Sequence, residues 1–196
     1  MLTVFADVNC PFAYVGLLRL RAERDLLGSA EQIRVRAWPI ELVDGRPWNA
    51  QRVAAEVTAL RAGIAPELFA GFDPATFPTS SLPALNATAA DPSEDFAFAI
   101  RRRLWEDGTP SSGPAEASPA VLADLDEGRR RQVKGSPHIF FPSGAEAFAP
   151  MFHVRHVGGE IHVDDRLAEF ATLCARELGL RSPRAVAPTG PPHYDL

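Results

Sequence analysis

A cysteine followed directly by a proline, at positions 10 and 11, stands between a short apolar run and a helical pattern. The apolar run, residues 2–8, has the length and residue types of a buried strand. Apolar residues recur at helical spacing from Phe12 onward, and Gly28 is placed to end that helix. Proline is tolerated at a first helical position because its missing N–H would have no partner there. The chain is therefore predicted to open as strand, sharp turn and amphipathic helix, with Cys10 in the turn.

The segment after this helix, residues 33–40, alternates apolar and charged residues and predicts a second strand. Strand, helix and strand within about 40 residues form a βαβ unit, whose two strands should be parallel. Pro39 is unfavourable inside a strand and should mark its end or an edge.

The middle of the chain differs in composition, with alanine-rich helical patterns separated by stretches rich in proline, serine and threonine. Helices are predicted at residues 49–62, 94–105 and 119–132, the second of them starting at Ser93.

The last third returns to β patterns. Residues 137–141 predict a strand, and residues 152–163, with Gly158 and Gly159 between alternating residues, predict a hairpin. Asp164 and Asp165 should cap a terminal helix over residues 166–178, ended by Gly179. The order βαβ, helical block, ββα is the minimal plan of a thioredoxin-like α/β sheet interrupted by a helical insertion.

This plan sets three predicted units. Residues 1–45 and 133–180 form the thioredoxin-like domain, residues 46–132 the helical insertion, and residues 181–196 a proline-rich C-terminal tail. We expect the tail to pack on its own domain or on a second subunit, because a segment of that composition orders only when something holds it. A homodimer is one form that this could take.

Composition and charge exclude several classes of function. The formal net charge is −5, whereas a general nucleic-acid binder needs a basic surface, so no nucleic-acid partner is expected. No run approaches the roughly 20 apolar residues of a membrane span, and the N-terminus lacks the basic and apolar regions of a secretory signal. Two cysteines are too few for a disulfide scaffold. Without an export signal the expected setting is a reducing cytoplasm, where thiols stay free.

Three segments carry a resemblance to a known family. They are residues 7–16 (DVNCPFAYVG), 38–42 (WPIEL) and 135–140 (GSPHIF). Together they resemble the DsbA-like thioredoxin superfamily, and most closely its group of FrnE-type oxidoreductases, 2-hydroxychromene-2-carboxylate isomerases and kappa-class glutathione transferases. The resemblance covers most of the chain. It implies a thioredoxin-like fold with an inserted helical subdomain, and a cis-proline at Pro137 facing the active cysteine, Cys10.

Cys10 is the candidate catalytic residue. Because a thiol is a nucleophile only as thiolate, its reactivity depends on the pKa of its side chain. A helix N-terminus places partial positive charge and unpaired N–H groups beside the sulfur, which lowers the pKa of cysteines there. We therefore expect the pKa of Cys10 to be lowered. The alternative is an inert residue in a degenerate site.

The sequence departs from the dithiol members of the family at Ala13, where they carry a second cysteine. Without it Cys10 cannot form the local disulfide, and a mixed disulfide cannot be resolved within the motif. Cys174 lies on the apolar face of the predicted terminal helix and is expected in the core. The chemistry that remains uses one thiol, with no tightly bound cofactor and with glutathione or mycothiol as a co-substrate.

The substrate-binding candidates surround Cys10 in the motif and in the facing segment. They are Pro11, Phe12, Ala13, Tyr14, Ser136 and Pro137. A cis bond at Pro137 would expose the backbone of Ser136 to a peptide or thiol as a short β-like pairing, whereas a trans-proline would simply open an edge strand. Tyr14 has a core residue as its alternative. A metal site is disfavoured, because His153 and His156 are odd-spaced on a strand and point to opposite faces.

Three functions fit these features. The first is a thiol–disulfide oxidoreductase that acts through Cys10 on a small thiol or a protein thiol. The second is a glutathione-dependent isomerase or transferase of the same fold. The third is a non-catalytic binding protein that uses the groove between the sheet and the helical lobe.

Overall fold

The computed structural model describes residues 1–178, which form a mixed α/β structure around a mixed sheet. Its helices are α1 (Pro11–Leu26), α2 (Ile40–Asp44), α3 (Ala50–Gly63), α4 (Leu82–Ala90), α5 (Glu94–Trp105), α6 (Pro119–Arg130) and α7 (Leu167–Glu177). Its strands are β1 (Leu2–Ala6), β2 (Ile33–Ala37), β3 (His138–Phe140), β4 (Glu146–Phe148), β5 (Phe152–Val157) and β6 (Glu160–Asp165).

The four-stranded sheet has the order β2-β1-β3-β4. Strand β1 pairs in parallel with β2, with Val4 opposite Val35, and antiparallel with β3, with Val4 opposite Ile139. Strand β4 adds to the outer side of β3 in the antiparallel sense. The parallel βαβ opening predicted from the sequence is confirmed, and it places the end of β1 and the start of α1 beside the loop that leads into β3.

The predicted hairpin forms, but it pairs only with itself, as β5 and β6 in a separate two-stranded sheet. The edge place beside β3 is taken by β4, whose three residues are too short to show a periodic pattern. Another short element, α2, follows β2 where the sequence indicated only the end of a strand at Pro39. Both were missed because they are short and are held by their surroundings.

Helix ends follow the sequence signals closely. The side chains of Ser93 and Asn49 accept hydrogen bonds from backbone N–H groups in the first turns of α5 and α3, as N-cap residues do. Gly28, with φ +64°, follows the end of α1. The predicted double aspartate cap of α7 is wrong in part: Asp165 accepts from the N–H of Leu167, whereas Asp164 instead binds Arg155.

The two faces of the sheet carry cores of different size. Leu2, Val4 and Ala6 of β1 belong to the large core shared with α1 and the helical block. Phe5, on the opposite face, packs in a small cluster with Trp38, Leu125 and Phe140 beneath α6. This alternation is the period of two expected of a strand, and it makes α6 the cover of the second face.

Helix α6 approaches that face closely at Gly128. A Cβ at Gly128 would lie 2.5 Å from Cζ3 of Trp38 and 3.2 Å from Phe5. We expect Gly128→Ala to lower the free energy of unfolding by about 1–3 kcal/mol, because two rigid rings must move, an overpacking cost that exceeds the gain in helix propensity.

Chemical denaturation of the wild type, Gly128→Ala, Trp38→Leu and the double variant measures this cost. In the Trp38→Leu background the cost of the glycine substitution should be much smaller, since the closest ring is gone and the Phe5 contact at 3.2 Å remains. An equal loss of stability in both backgrounds would show that contact with Trp38 is not the cause.

The β5–β6 hairpin is anchored to α1 and α3. Arg19, which is buried, donates to the carboxylate of Asp165 at 2.6 Å and to the carbonyl oxygens of Met151 and Ile64. These contacts hold the hairpin beside the middle of α1. Among residues 1–178, no helix has the length and apolar character that crossing a membrane requires. The predicted packing of the tail, and Gly179 as a helix end, lie outside the described residues.

Candidate functional site

Cys10 occupies the turn between β1 and α1. It is the N-cap residue of α1, with φ −85° and ψ 112°, and Pro11 fills the first helical position. The backbone N–H groups of Ala13 and Tyr14 donate to the Cys10 carbonyl oxygen at 3.1 and 3.2 Å. The strand, turn and helix predicted around Cys10 are confirmed.

A distant segment of the chain meets Cys10 in this turn. The Cys10 Sγ donates to the carbonyl oxygen of Ser136 at 3.3 Å, and the Ser136–Pro137 peptide bond is cis. The Ser136 Oγ accepts a hydrogen bond from the N–H of Asp7 at 2.9 Å, which ties the loop before β3 to the end of β1. Pro137 also lies against α1, so close that a Cβ at Gly16 would be 2.9 Å from its Cγ.

The expected lowering of the Cys10 pKa is wrong. The residue is 5% exposed, and burial, followed by the charge of Glu56, raises the pKa of its thiol to about 12. Hydrogen bonding with Ser136 and the N–H of Ala13 act in the opposite direction without outweighing burial. Loss of solvent around a thiolate costs more than the partial charge of a helix terminus returns. A pKa raised by burial favours the neutral thiol form of Cys10 at neutral pH.

The other predicted residues of the motif divide by exposure. Pro11 and Ala13 are buried, and only Phe12 is partly accessible. Tyr14 is 2% exposed and lies among aromatic rings, with the rings of Phe69 and Trp105 centred 5.7 and 6.2 Å away. This placement favours the core alternative for Tyr14, and it leaves Phe12 as the motif side chain that a substrate can reach.

A groove of about 930 Å³ opens beside Phe12, between α3 and the β5–β6 hairpin. Apolar and polar residues both line it, and the polar ones are Arg52, Glu56, Thr58, His156, Glu160 and His162. Cys10 itself does not line this groove, but Phe12, which does, is two residues from it, and Glu56 in the lining acts electrostatically on the thiol. The sequence analysis expected a groove between the sheet and the helical lobe, whereas this groove lies between α3 and the separate hairpin, which are about 100 residues apart.

Asp7 is a site residue that the sequence analysis quoted only as part of a motif. It is fully buried, and its carboxylate accepts from the N–H groups of Asn9 and Ile40 and from the Ser81 hydroxyl, at 2.8 to 3.0 Å. Burial raises its pKa to about 6, against the effect of these hydrogen bonds. The sequence signal that could have identified Asp7 as a site residue is its position three residues before Cys10, directly after an apolar strand.

Arg101, on α5, was not singled out at all. It is 1% exposed, and burial lowers the pKa of its guanidinium to about 10, while the charges of Asp7 and Cys10 act to raise it. One turn further along the same helix, Trp105 Nε1 donates to the carbonyl oxygen of Val8 at 3.1 Å. This face of α5 therefore lies against the loop that carries Cys10. Three consecutive arginines at 101–103 gave no sign of which one is buried.

Cys174 is completely buried on α7, as the sequence predicted, and burial raises the pKa of its thiol to about 12. Both cysteines of the chain are free thiols. Within the described part of the chain, no group of histidine, cysteine, aspartate or glutamate side chains is arranged to hold a metal ion.

Comparison with known proteins gives no family for this chain, so its function is argued from the geometry of the site. No protein-family model matches the chain, and no curated protein matches it.

Proposed function

We propose that this protein is a thiol–disulfide oxidoreductase of the DsbA-like kind, which acts through Cys10 alone in a reducing, cytoplasmic setting. One observation carries the proposal: the Cys10 sulfur, at the start of α1, lies 3.3 Å from the backbone oxygen of Ser136, directly before the proline of a cis bond. Cys10 and Ser136 are 126 positions apart in sequence.

The sheet supports a thioredoxin-like fold as part of this proposal. A parallel βαβ unit is joined to antiparallel β3 and β4 in the order β2-β1-β3-β4, with helices α2 to α6 inserted between the two halves. Such a sheet gathers the N-terminus of α1 and the loop before β3 at one edge.

The proposed reaction uses a disulfide substrate and a small thiol. The Cys10 thiolate attacks one sulfur of the substrate disulfide, an S–S bond forms to Cys10, and the other substrate sulfur leaves as a thiolate that takes up the proton. A second thiol, such as glutathione or mycothiol, attacks the mixed disulfide and releases Cys10 as thiol. One disulfide is consumed and one is formed, so no further oxidant is needed.

Substrate binding must free the Cys10 proton, because the thiol is neutral when it donates to Ser136. An incoming backbone N–H that donates to the Ser136 carbonyl would replace the S–H group there, in a β-like pairing. The groove beside Phe12 and Glu56 provides the approach. The site is thus closed when free and reactive when a substrate segment is paired with it.

Exchange with glutathione disulfide tests the proposal. We expect intact-protein mass spectrometry to show one glutathione adduct, which added glutathione removes. Cys10→Ser should form none, and Cys174→Ala, the matched control, should form it at the wild-type rate, because Cys174 is sealed in the core. An adduct confined to Cys174, or no adduct at Cys10 after prolonged incubation, would overturn the oxidoreductase assignment.

A second candidate is a glutathione-dependent transferase or isomerase, and it is favoured by the neutral state of Cys10. A neutral S–H can donate to the thiolate of bound glutathione, and a serine hydroxyl can do the same. Conjugation of glutathione to 1-chloro-2,4-dinitrobenzene that survives in Cys10→Ser would support this candidate. If neither adduct nor conjugation is found in wild type, the groove belongs to a non-catalytic binding protein.

A further inference from the structure

Arg101 is a buried cation whose hydrogen-bonding capacity is largely unused. Its Nη1 donates to the Ala97 carbonyl oxygen at 2.7 Å, one turn back on α5. Its Nε and Nη2 are buried without a hydrogen-bond partner among the described residues. A buried polar group left without a partner costs free energy, and a single backbone contact would require only one of the guanidinium N–H groups.

The charged groups around Arg101 belong to the candidate site. Asp7, at the end of β1, and Cys10, at the start of α1, are the two groups whose charges act on the guanidinium. The bond from Trp105 to Val8 fixes the same face of α5 against the loop between these two residues. The Asp7 carboxylate already accepts hydrogen bonds from Asn9, Ile40 and Ser81. It therefore does not need Arg101 as a hydrogen-bond donor.

We propose that Arg101 is a positioning residue that supplies the buried positive charge for the Cys10 thiolate. Two carboxylates, Asp7 directly after β1 and Glu56 in α3, oppose a negative charge on Cys10. Arg101 lies one turn before Trp105, which bonds to Val8 between Asp7 and Cys10, and its Nε and Nη2 have no hydrogen-bond partner among the described residues. The charge of Cys10 acts on this guanidinium. The inference rests on the proposed function, since it assigns a role in forming the reactive thiolate.

This arrangement explains how a neutral buried thiol can serve as a nucleophile. In the free protein Arg101 offsets the charge of Asp7, and Cys10 keeps its proton. When the proton leaves as substrate binds, the same guanidinium is in place to stabilise the second anion. A guanidinium suits this position because it stays protonated when buried and has several donors in a fixed plane.

The rate of alkylation of Cys10 tests the role of Arg101 without requiring enzymatic turnover. In a Cys174→Ala background, the rate with iodoacetamide at about pH 8 is compared among Arg101, Arg101→Lys, Arg101→Gln and Arg101→Met. We expect the two uncharged variants to react about 10-fold more slowly, as a rise of about one unit in the Cys10 pKa implies. Arg101→Lys should react at a rate between those of the parent and the uncharged variants, because a buried ammonium loses its proton more readily than a guanidinium.

Arg19→Met is the matched control, since Arg19 is equally buried but binds the hairpin. It should lower stability, measured by denaturation, without slowing alkylation. If one uncharged variant fails to fold, the other is used, and the parent with Arg101 is the reference for the full charge. Equal rates in all folded variants would overturn the proposal, as would an equal slowing in Arg19→Met.

The outcome separates this inference from the proposed function. A charge-dependent alkylation rate without a glutathione adduct would retain the role of Arg101 and reject the oxidoreductase. A glutathione adduct at Cys10, together with an alkylation rate that does not depend on Arg101, would support the oxidoreductase function and reject the role of Arg101.

Discussion

Iodoacetamide should alkylate Cys10 about 1000-fold more slowly than it alkylates a free thiol at pH 7. The reason is the thiolate fraction: raising the cysteine pKa from 9.0 to about 12 lowers the ionised fraction near neutrality about 1000-fold. Because only the thiolate reacts, the rate should rise about 10-fold for each pH unit from about pH 6 to pH 9 without levelling off.

The measurement uses Cys174→Ala, so that Cys10 is the single thiol, with N-acetylcysteine as the free thiol. Peptide mapping after alkylation confirms the site. A rate that levels off below pH 7, or that matches the free thiol at pH 6, would mean that helix α1 lowers the Cys10 pKa after all. Denaturant should abolish the difference, because it exposes the sulfur to water.

Replacing Asp7 with asparagine should stabilise the protein increasingly as pH rises through the acidic range. The folded state raises the Asp7 pKa from 3.8 to about 6, so the folded protein binds this proton more tightly than the unfolded chain does. Wild type therefore loses stability, relative to a non-titrating variant, as pH rises from about 4 to about 6. The full loss is about 3 kcal/mol, since one pKa unit corresponds to about 1.4 kcal/mol.

The comparison is made by denaturant unfolding of wild type and Asp7→Asn from pH 3.5 to about pH 8. An asparagine amide cannot accept from every donor around Asp7, which adds a constant offset that does not depend on pH. Ser81→Ala is the matched variant, because the Ser81 hydroxyl donates to Asp7 and lowers its pKa. Its loss of stability should extend to higher pH than that of wild type. A stability difference between wild type and Asp7→Asn that is flat with pH would contradict the assignment.

Local order in this chain could be predicted from the sequence because local forces determine it. Pro11 can occupy only the first turn of a helix, Ser93 caps α5, and the alternation along β1 and β2 sets two faces of a sheet. The short elements α2 and β4 could not be predicted, since three to five residues carry too little periodic signal. That the β5–β6 hairpin stays apart from the four-stranded sheet was not predictable for another reason, because strand pairing between distant segments is a tertiary property.

The residues of the candidate site divide in the same way. Cys10, Ser136 and Pro137 could be placed together from their motifs, and the structure brings the first two to 3.3 Å. Glu56 and Arg101 carry no motif, and their roles come only from where α3 and α5 pack. A buried arginine among three in a row has the same sequence signature as its exposed neighbours.

By itself the sequence determined that Cys10 begins a helix after a buried strand, because proline chemistry and apolar periodicity act over a few residues. Only the tertiary structure decided how that thiol ionises. Helix α1 offers its positive end, but burial removes water from the thiol, Glu56 of α3 adds a negative charge from a distant segment, and Asp7 adds one from the preceding strand end. The free energy of a buried charge depends on every group around it, and those groups come from the whole length of the chain.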